Sequence, residues 1–141
     1  MSRKLKIGFV GNCMLDECFE DKVRALIINS YMNILEQYKG YDEYVLISGA
    51  TNIGSVKIAY EEAEKLGWTI KGIACELEKK YETFPDLKDE DVIIVGKTWG
   101  DESYLFEHSV DVLVRVGGGE QSLKETEHIK KLGIKVFEYD Y

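Results

Sequence analysis

The chain reads as an α/β protein: a single doubly wound, mostly parallel sheet of about six strands with helices on both faces. Three observations predict it. Short continuous runs rich in Val and Ile recur along the whole length, as expected of parallel strands buried on both faces. Between several of them, apolar residues fall at helical spacing. Glycine-bearing turns stand where strand runs end.

Taken in order, Leu5–Val10 is an apolar run that stops at Gly11-Asn12, and Val23, Leu26, Ile27, Ile34 and Leu35 then mark one helical face. Tyr44–Ile47 is the second strand, followed by the polar, glycine-bearing stretch Ser48 to Ser55. Val56, Ala59, Tyr60 and Ala63 line the next helix, which stops at Gly67. Thr69–Ala74, Val92–Val95, Val110–Val116 and Lys135–Tyr139 supply four more strands. Leu123, Ile129 and Leu132 place a helix before the last of these, ended by Gly133. Pro85, the only proline, falls in the least regular stretch, from Cys75 to Asp91. With no linker, repeat or low-complexity tract, residues 1–141 are expected to form one domain.

Composition narrows the function. The 141 residues carry 26 acidic against 18 basic side chains, a net charge of −8. That balance argues against a nucleic-acid backbone or an anionic membrane surface as partner. The amino-terminal run Met1-Ser2-Arg3-Lys4-Leu5 passes directly into a strand, without an apolar stretch of signal-peptide or membrane-span length. Cys13, Cys18 and Cys75 are odd in number and show no CxxC spacing, so free thiols in a reducing cytoplasm are expected. No metal site and no cofactor are expected, since Cys13 and Cys18 have no histidine near them. His108 and His128 show no partnering pattern and read as exposed or core-edge residues.

Ligands of open α/β sheets sit beyond the carboxyl ends of the strands, where strand order reverses. Four turns fall at such ends: Gly11-Asn12, Ser48 to Ser55, Gly96 to Gly100, and Gly117 to Ser122. The last is the most informative, because a β-branched strand runs into Gly117-Gly118-Gly119 and then into a helix. Backbone without Cβ atoms admits a ligand closely, and the free N–H groups of a helix start suit an anionic group. Ser122-x-x-Glu125 equally fits a capping box, an alternative to ligand contact. Two other motifs fail. Gly96-Lys97-Thr98 lacks the earlier glycine of a phosphate-binding loop, because Asp91 stands there. Gly8-Phe9-Val10-Gly11 does not continue as G-x-G-x-x-G, because Val10 and Cys13 occupy the other glycine positions.

Over nearly its whole length the chain resembles the SLOG superfamily of Rossmann-like proteins. That group includes phosphoribohydrolases filed as "lysine decarboxylase", molybdenum-cofactor carrier-like proteins, the DNA-processing protein A fold and sensor domains for nucleotide-derived signals. Ile7 to Asn12 resembles its first strand and turn, and Leu46 to Gly54 its second glycine turn. Asp111 to Glu125 resembles a strand followed by G-G-x-G-T-x-x-E, with Gly118 and Gly119 as the paired glycines, Ser122 for the threonine and Glu125 on the glutamate. Two departures stand out. Gln121 replaces the third glycine, and Glu102-Ser103 stands where enzymatic members carry Arg-Asn or Arg-Lys. A carboxylate cannot take over a bidentate arginine–phosphate pair, although Lys97 or Arg115 could compensate.

The leading expectation is binding or sensing of a nucleotide or nucleoside-derived small molecule. Its contacts would come from Gly11, Asn12, Ser48, Gly49, Thr51, Asn52, Gly54, Lys97, Gly117, Gly118, Gly119, Gln121 and Ser122. The alternative is a phosphoribohydrolase cleaving the N-glycosidic bond of a nucleoside monophosphate, with Glu125 as the catalytic carboxylate. The resemblance also implies a homodimer. A third reading is a dimeric interaction protein without a small ligand, in which Tyr31, Tyr38 and Tyr41 either supply the interface or cover the edge of the core. The charge of the crevice discriminates: a positive one fits phosphate chemistry, an acidic one a neutral or cationic ligand.

Overall fold

The computed structural model describes residues 3–141; the Met1-Ser2 start of the amino-terminal run lies outside the described residues. Its strands are β1 (Lys4–Gly11), β2 (Glu43–Ser48), β3 (Thr69–Ala74), β4 (Val92–Ile94), β5 (Val112–Val116) and β6 (Lys135–Tyr139). The helices are α1 (Glu17–Gln37), α2 (Gly54–Lys65), α3 (Ser103–Glu107) and α4 (Glu120–Lys131). All five strand pairings are parallel, in the order β4-β3-β2-β1-β5-β6. The chain lays down its first four strands in one direction, then returns to place β5 on the free side of β1. Strand order therefore reverses between β1 and β5, which sets the crevice of a doubly wound sheet at their carboxyl ends.

Alternation along the strands feeds two cores. Ile7 and Phe9 of β1, Leu46 of β2 and Val112, Val114 and Val116 of β5 bury against Val23, Ile27, Tyr31 and Ile34 of α1 and Ile58, Ala59 and Ala63 of α2. Val10, Val45, Ile47, Ile73 and Leu113 face the other way, onto Phe106 of α3 and Ile129 of α4. The tyrosines held open as interface residues belong to the first core. Tyr31 is fully buried, with its hydroxyl donating to the Ala59 carbonyl at 2.9 Å, and its ring packs on Trp68. Tyr38 and Tyr41 lie half-buried along the edge of the same core.

Several sequence boundaries shift: β1 and β2 each extend one residue further at both ends than the sequence reading, and β4 stops at Ile94, one residue short of it. β5 begins at Val112, because Asp111 ties the preceding turn to Lys6 through its backbone N–H and through its side chain, at 2.7 and 2.8 Å. The stretch from Cys75 to Asp91 forms only short 3₁₀ turns, at Glu76–Lys80 and Asp89–Asp91, and anchors itself by burying Phe84 and Leu87. The capping box at Ser122 and Glu125 does not form. α4 starts at Glu120 with Gly119 as its N-cap, so both residues lie inside the helix, where the Ser122 carbonyl accepts a hydrogen bond from Thr126 Oγ1 at 2.7 Å.

Leu46 lies fully buried in β2, between β1 and β3. Leu46→Ala should cost about 3 kcal/mol through lost burial and the cavity left behind. Urea unfolding followed by circular dichroism measures this; a loss well under 1 kcal/mol would mean the site collapses around the gap.

Candidate functional site

The turns at the carboxyl edge are fastened to one another before any ligand is considered. The Asn12 carbonyl accepts two hydrogen bonds from Ser55, from N–H at 2.9 Å and from Oγ at 2.8 Å. This brings the start of α2 against the end of β1, so closely that a Cβ on Gly54 would strike the Asn12 and Cys13 carbonyls. Gly54 also has φ of 59°, a left-handed conformation that side chains disfavour. On the β5 side, the Gly117 N–H donates to the Tyr139 carbonyl at 2.8 Å, and the Asn12 amide donates to the Tyr141 hydroxyl at 2.6 Å. The Tyr141 ring lies where a Cβ on Gly117 would be, and packs on Phe19.

Several residues assigned to a ligand by sequence are engaged within the protein. Ser48 is buried and donates to the Phe9 carbonyl at 2.8 Å. Thr51 is buried and bridges to Thr83 in an isolated antiparallel pair. Asn52 donates its N–H to the Glu82 carbonyl at 2.8 Å and its side-chain amide to the Glu82 carboxylate at 3.0 Å. Arg115, raised above as a substitute for the missing arginine, is buried in β5 and donates to the Gly117 carbonyl, Asp140 and Glu138 at 2.7, 3.0 and 3.2 Å. It braces the glycine turn from behind.

Open space lies on the α3/α4 side of the sheet. A cavity of about 90 Å³ is lined by Gly49, Ile73, Ala74, Trp99, Glu102, Phe106, Gln121 and Glu125. A wider groove of about 500 Å³ shares Trp99, Gln121 and Glu125 with it and continues past Ser103, Glu107, Glu120, Lys124 and His128. Gly49 fits because nothing stands within 4 Å of where its Cβ would be. Gln121, Gly49 and Glu125 thus line one cavity. Gly11, Asn12, Gly54, Gly117 and Gly118 form the packed joint beside them, Gly119 caps α4, and Lys97 and Ser122 line neither space. Trp99, Glu107 and His128 escaped the sequence reading. The signal for Trp99 was an aromatic residue set in a glycine turn at a strand end.

A carboxyl network organises the cavity. Glu102 accepts hydrogen bonds from the Gly100 N–H at 2.8 Å and the Gln121 amide at 3.2 Å. Glu125 accepts one from the Ser103 hydroxyl at 2.8 Å. Burial is the main cause that lifts the Glu125 carboxyl to about 7; the negative charges of Glu102 and Glu107 add to it, while Ser103 and Gln121 oppose it. Below Glu102, burial and then the charge of that carboxylate push the Cys75 thiol up. Glu107 pairs with His128 Nδ1 at 2.8 Å and Lys124 with Glu120 at 3.1 Å, so each basic residue of the groove already faces a carboxylate. The crevice is acidic. Among the described residues, no group of three or more His, Cys, Asp and Glu is placed to hold a metal ion, and no helix is long and apolar enough to cross a membrane.

Fold and crevice together define a Rossmann-like α/β protein with its open site beside the strand-order reversal. No family model matches the chain, and no curated protein does either. Solved structures do. The molybdenum cofactor carrier protein from Chlamydomonas reinhardtii superposes with a TM-score of 0.71 at 21% identity, over 96% of this chain and 76% of that one. The molybdenum cofactor binding protein from the phototrophic bacterium Rippkaea orientalis gives 0.65 at 21% identity, over 99% of this chain and 78% of that one. The structural-genomics protein TM1055 gives 0.64 at 18% identity, over 94% and 72%. These likenesses show the Rossmann-like α/β fold that the sequence reading expects.

Folding raises the Glu125 carboxyl from 4.5 to about 7, so between those values the folded chain holds a proton that the unfolded chain has released. Stability contributed by that proton is complete below the window and lost as pH rises through it. Glu125→Gln removes the loss and should stabilise the protein above pH 7, on the order of 3 kcal/mol relative to low pH. Glu64, lifted to about 7 by burial and Asp86, titrates alike in both proteins and cancels in the difference. Denaturant unfolding at several pH values measures the difference; one that is flat with pH would place the proton elsewhere.

Proposed function

We propose that the protein binds or senses a small nucleoside-type molecule in the crevice between the Gly49 turn, the Gly96–Gly100 turn and the start of α4. One observation carries this reading: a cavity at the carboxyl edge of the sheet walled by Trp99 and edged by Glu102, Gln121 and a Glu125 that holds its proton near neutrality. Trp99 is 49% exposed, which leaves an indole surface for a planar ring to stack on. Glu102 accepts hydrogen bonds from ring or exocyclic N–H groups, and protonated Glu125 can donate one. No unpaired cation lines the crevice among the described residues. An uncharged or cationic nucleoside suits it better than a phosphorylated one, which shifts the expectation away from nucleotides. The names of two structural neighbours, a molybdenum cofactor carrier and a molybdenum cofactor binding protein, support small-molecule carriage as the activity of this fold.

A second reading is N-glycosidic hydrolysis with Glu125 as the catalytic carboxyl. It is favoured by Glu125 facing the cavity with the Ser103 hydroxyl upon it. Both readings are tested by proton NMR of the protein with adenosine, adenosine monophosphate and a ring-methylated, cationic adenosine. Saturation transfer to adenosine and its cationic derivative, weaker for the monophosphate, is the expected result. Trp99→Ala should lower affinity about tenfold through the lost stacking surface. Binding that favours the monophosphate, or is indifferent to Trp99→Ala, would overturn the proposed site. Free base accumulating with time, and absent in Glu125→Gln, would establish the hydrolase instead.

A further inference from the structure

Two buried carboxyl groups line the cavity, and one amide bridges them. Glu102 stands just before α3 and Glu125 in the second turn of α4. The Gln121 amide donates to Glu102 Oε1 at 3.2 Å and bonds to the Glu125 carboxyl as well. Only the nitrogen end of an amide can donate to both, so the Gln121 carbonyl oxygen is left as an acceptor. The Gly100 N–H meets the same Glu102 oxygen at 2.8 Å. Glu102 Oε2 thus keeps acceptor capacity for a ligand, since the Cys75 thiol beside this carboxylate is a weak donor. Glu125 differs in kind. The Ser103 hydroxyl donates to its Oε2 at 2.8 Å, and burial keeps a proton on the group up to about pH 7. In the order Glu102, Gln121, Glu125, the wall therefore offers acceptor, acceptor, donor.

We propose that the crevice selects a guanine nucleoside, whose N2 amino group and N1–H donate to Glu102 and Gln121 while its O6 accepts from Glu125. Among the common bases this donor, donor, acceptor edge belongs to guanine. Adenine and cytosine each set a ring acceptor where the second donor is needed. Hypoxanthine keeps N1–H and O6 but lacks the amino group. The cavity of about 90 Å³ takes the edge of the ring, with the Trp99 indole as its stacking surface. The ribose then lies in the groove of about 500 Å³, which shares Trp99, Gln121 and Glu125 with the cavity. This inference rests on the crevice reading above and names the base it recognises.

Competitive saturation-transfer NMR with guanosine, inosine and adenosine tests it, at slightly acid pH so that Glu125 is protonated. Guanosine should bind about tenfold tighter than inosine, which lacks the amino group facing Glu102, and tighter again than adenosine. Glu102→Gln should narrow the gap between guanosine and inosine. Glu125→Gln still presents a donor to O6 and should keep the order of the three. The wild-type ranking decides the matter even if a variant fails to fold. Inosine or adenosine bound as tightly as guanosine, or a gap unchanged in Glu102→Gln, would overturn the pairing. If Trp99→Ala still weakened binding in that case, the crevice reading would stand without it. No Trp99-dependent binding of any of the three would overturn both.

Discussion

The two hydrogen bonds that Ser55 makes to the Asn12 carbonyl govern the carboxyl edge of this sheet. They fix the first turn of α2 onto the end of β1, and Gly54 is the residue that lets the backbones meet. With Tyr141 packed against Gly117 and bonded to Asn12, the α1/α2 side of the strand-order reversal is filled by the protein itself. The cavity and groove at this edge lie on the α3/α4 side, where the turn after β4 and the start of α4 stand apart. The location of the crevice is thus a consequence of packing between two turns, one step removed from the topology that makes a crevice possible.

That displacement also changes the chemistry. A ligand at the β1 turn would meet backbone amides and glycines. One in the observed cavity meets carboxyl groups carried by α3 and α4, with an indole on one side. Burial keeps one of those carboxyls protonated near neutrality, so two neighbouring glutamates present different faces to a ligand, one accepting and one able to donate. The glutamine that stands in place of a glycine, Gln121, reaches across with its amide to Glu102. The departures from the motif that the chain resembles are therefore the very residues that shape the cavity.

The fold was legible because burial writes itself plainly into strands: Thr69–Ala74 and Lys135–Tyr139 are bounded in the sequence as they are in the structure. Local signals misled where a second residue offered the same service. Ser122-x-x-Glu125 fits a capping box, but extended backbone at Gly119 lets the helix begin earlier, and the pair then lies within it. Non-local partners left no trace at all. Nothing periodic in residues 82–84 announces that they would engage Ala50, Thr51 and Asn52, which removes those polar groups from the ligand's reach. Glu107 and His128, set on different helices 21 residues apart, meet only through tertiary packing.

The placement of β5 beside β1 has a bearing on how the molecule is made. Ile7 pairs with Val112 and Gly11 with Val116, so the central strand waits for more than a hundred residues of chain before its second flank exists. Strands β1 to β3 with α1 and α2 can assemble from contacts closer in sequence. The β1–β5 ladder must close a long loop, a slow step that exposes strand edges until it is finished. A ribosome making this chain therefore holds a half-sheet with a bare β1 margin until β5 emerges, and the crevice, which needs α4, appears later still.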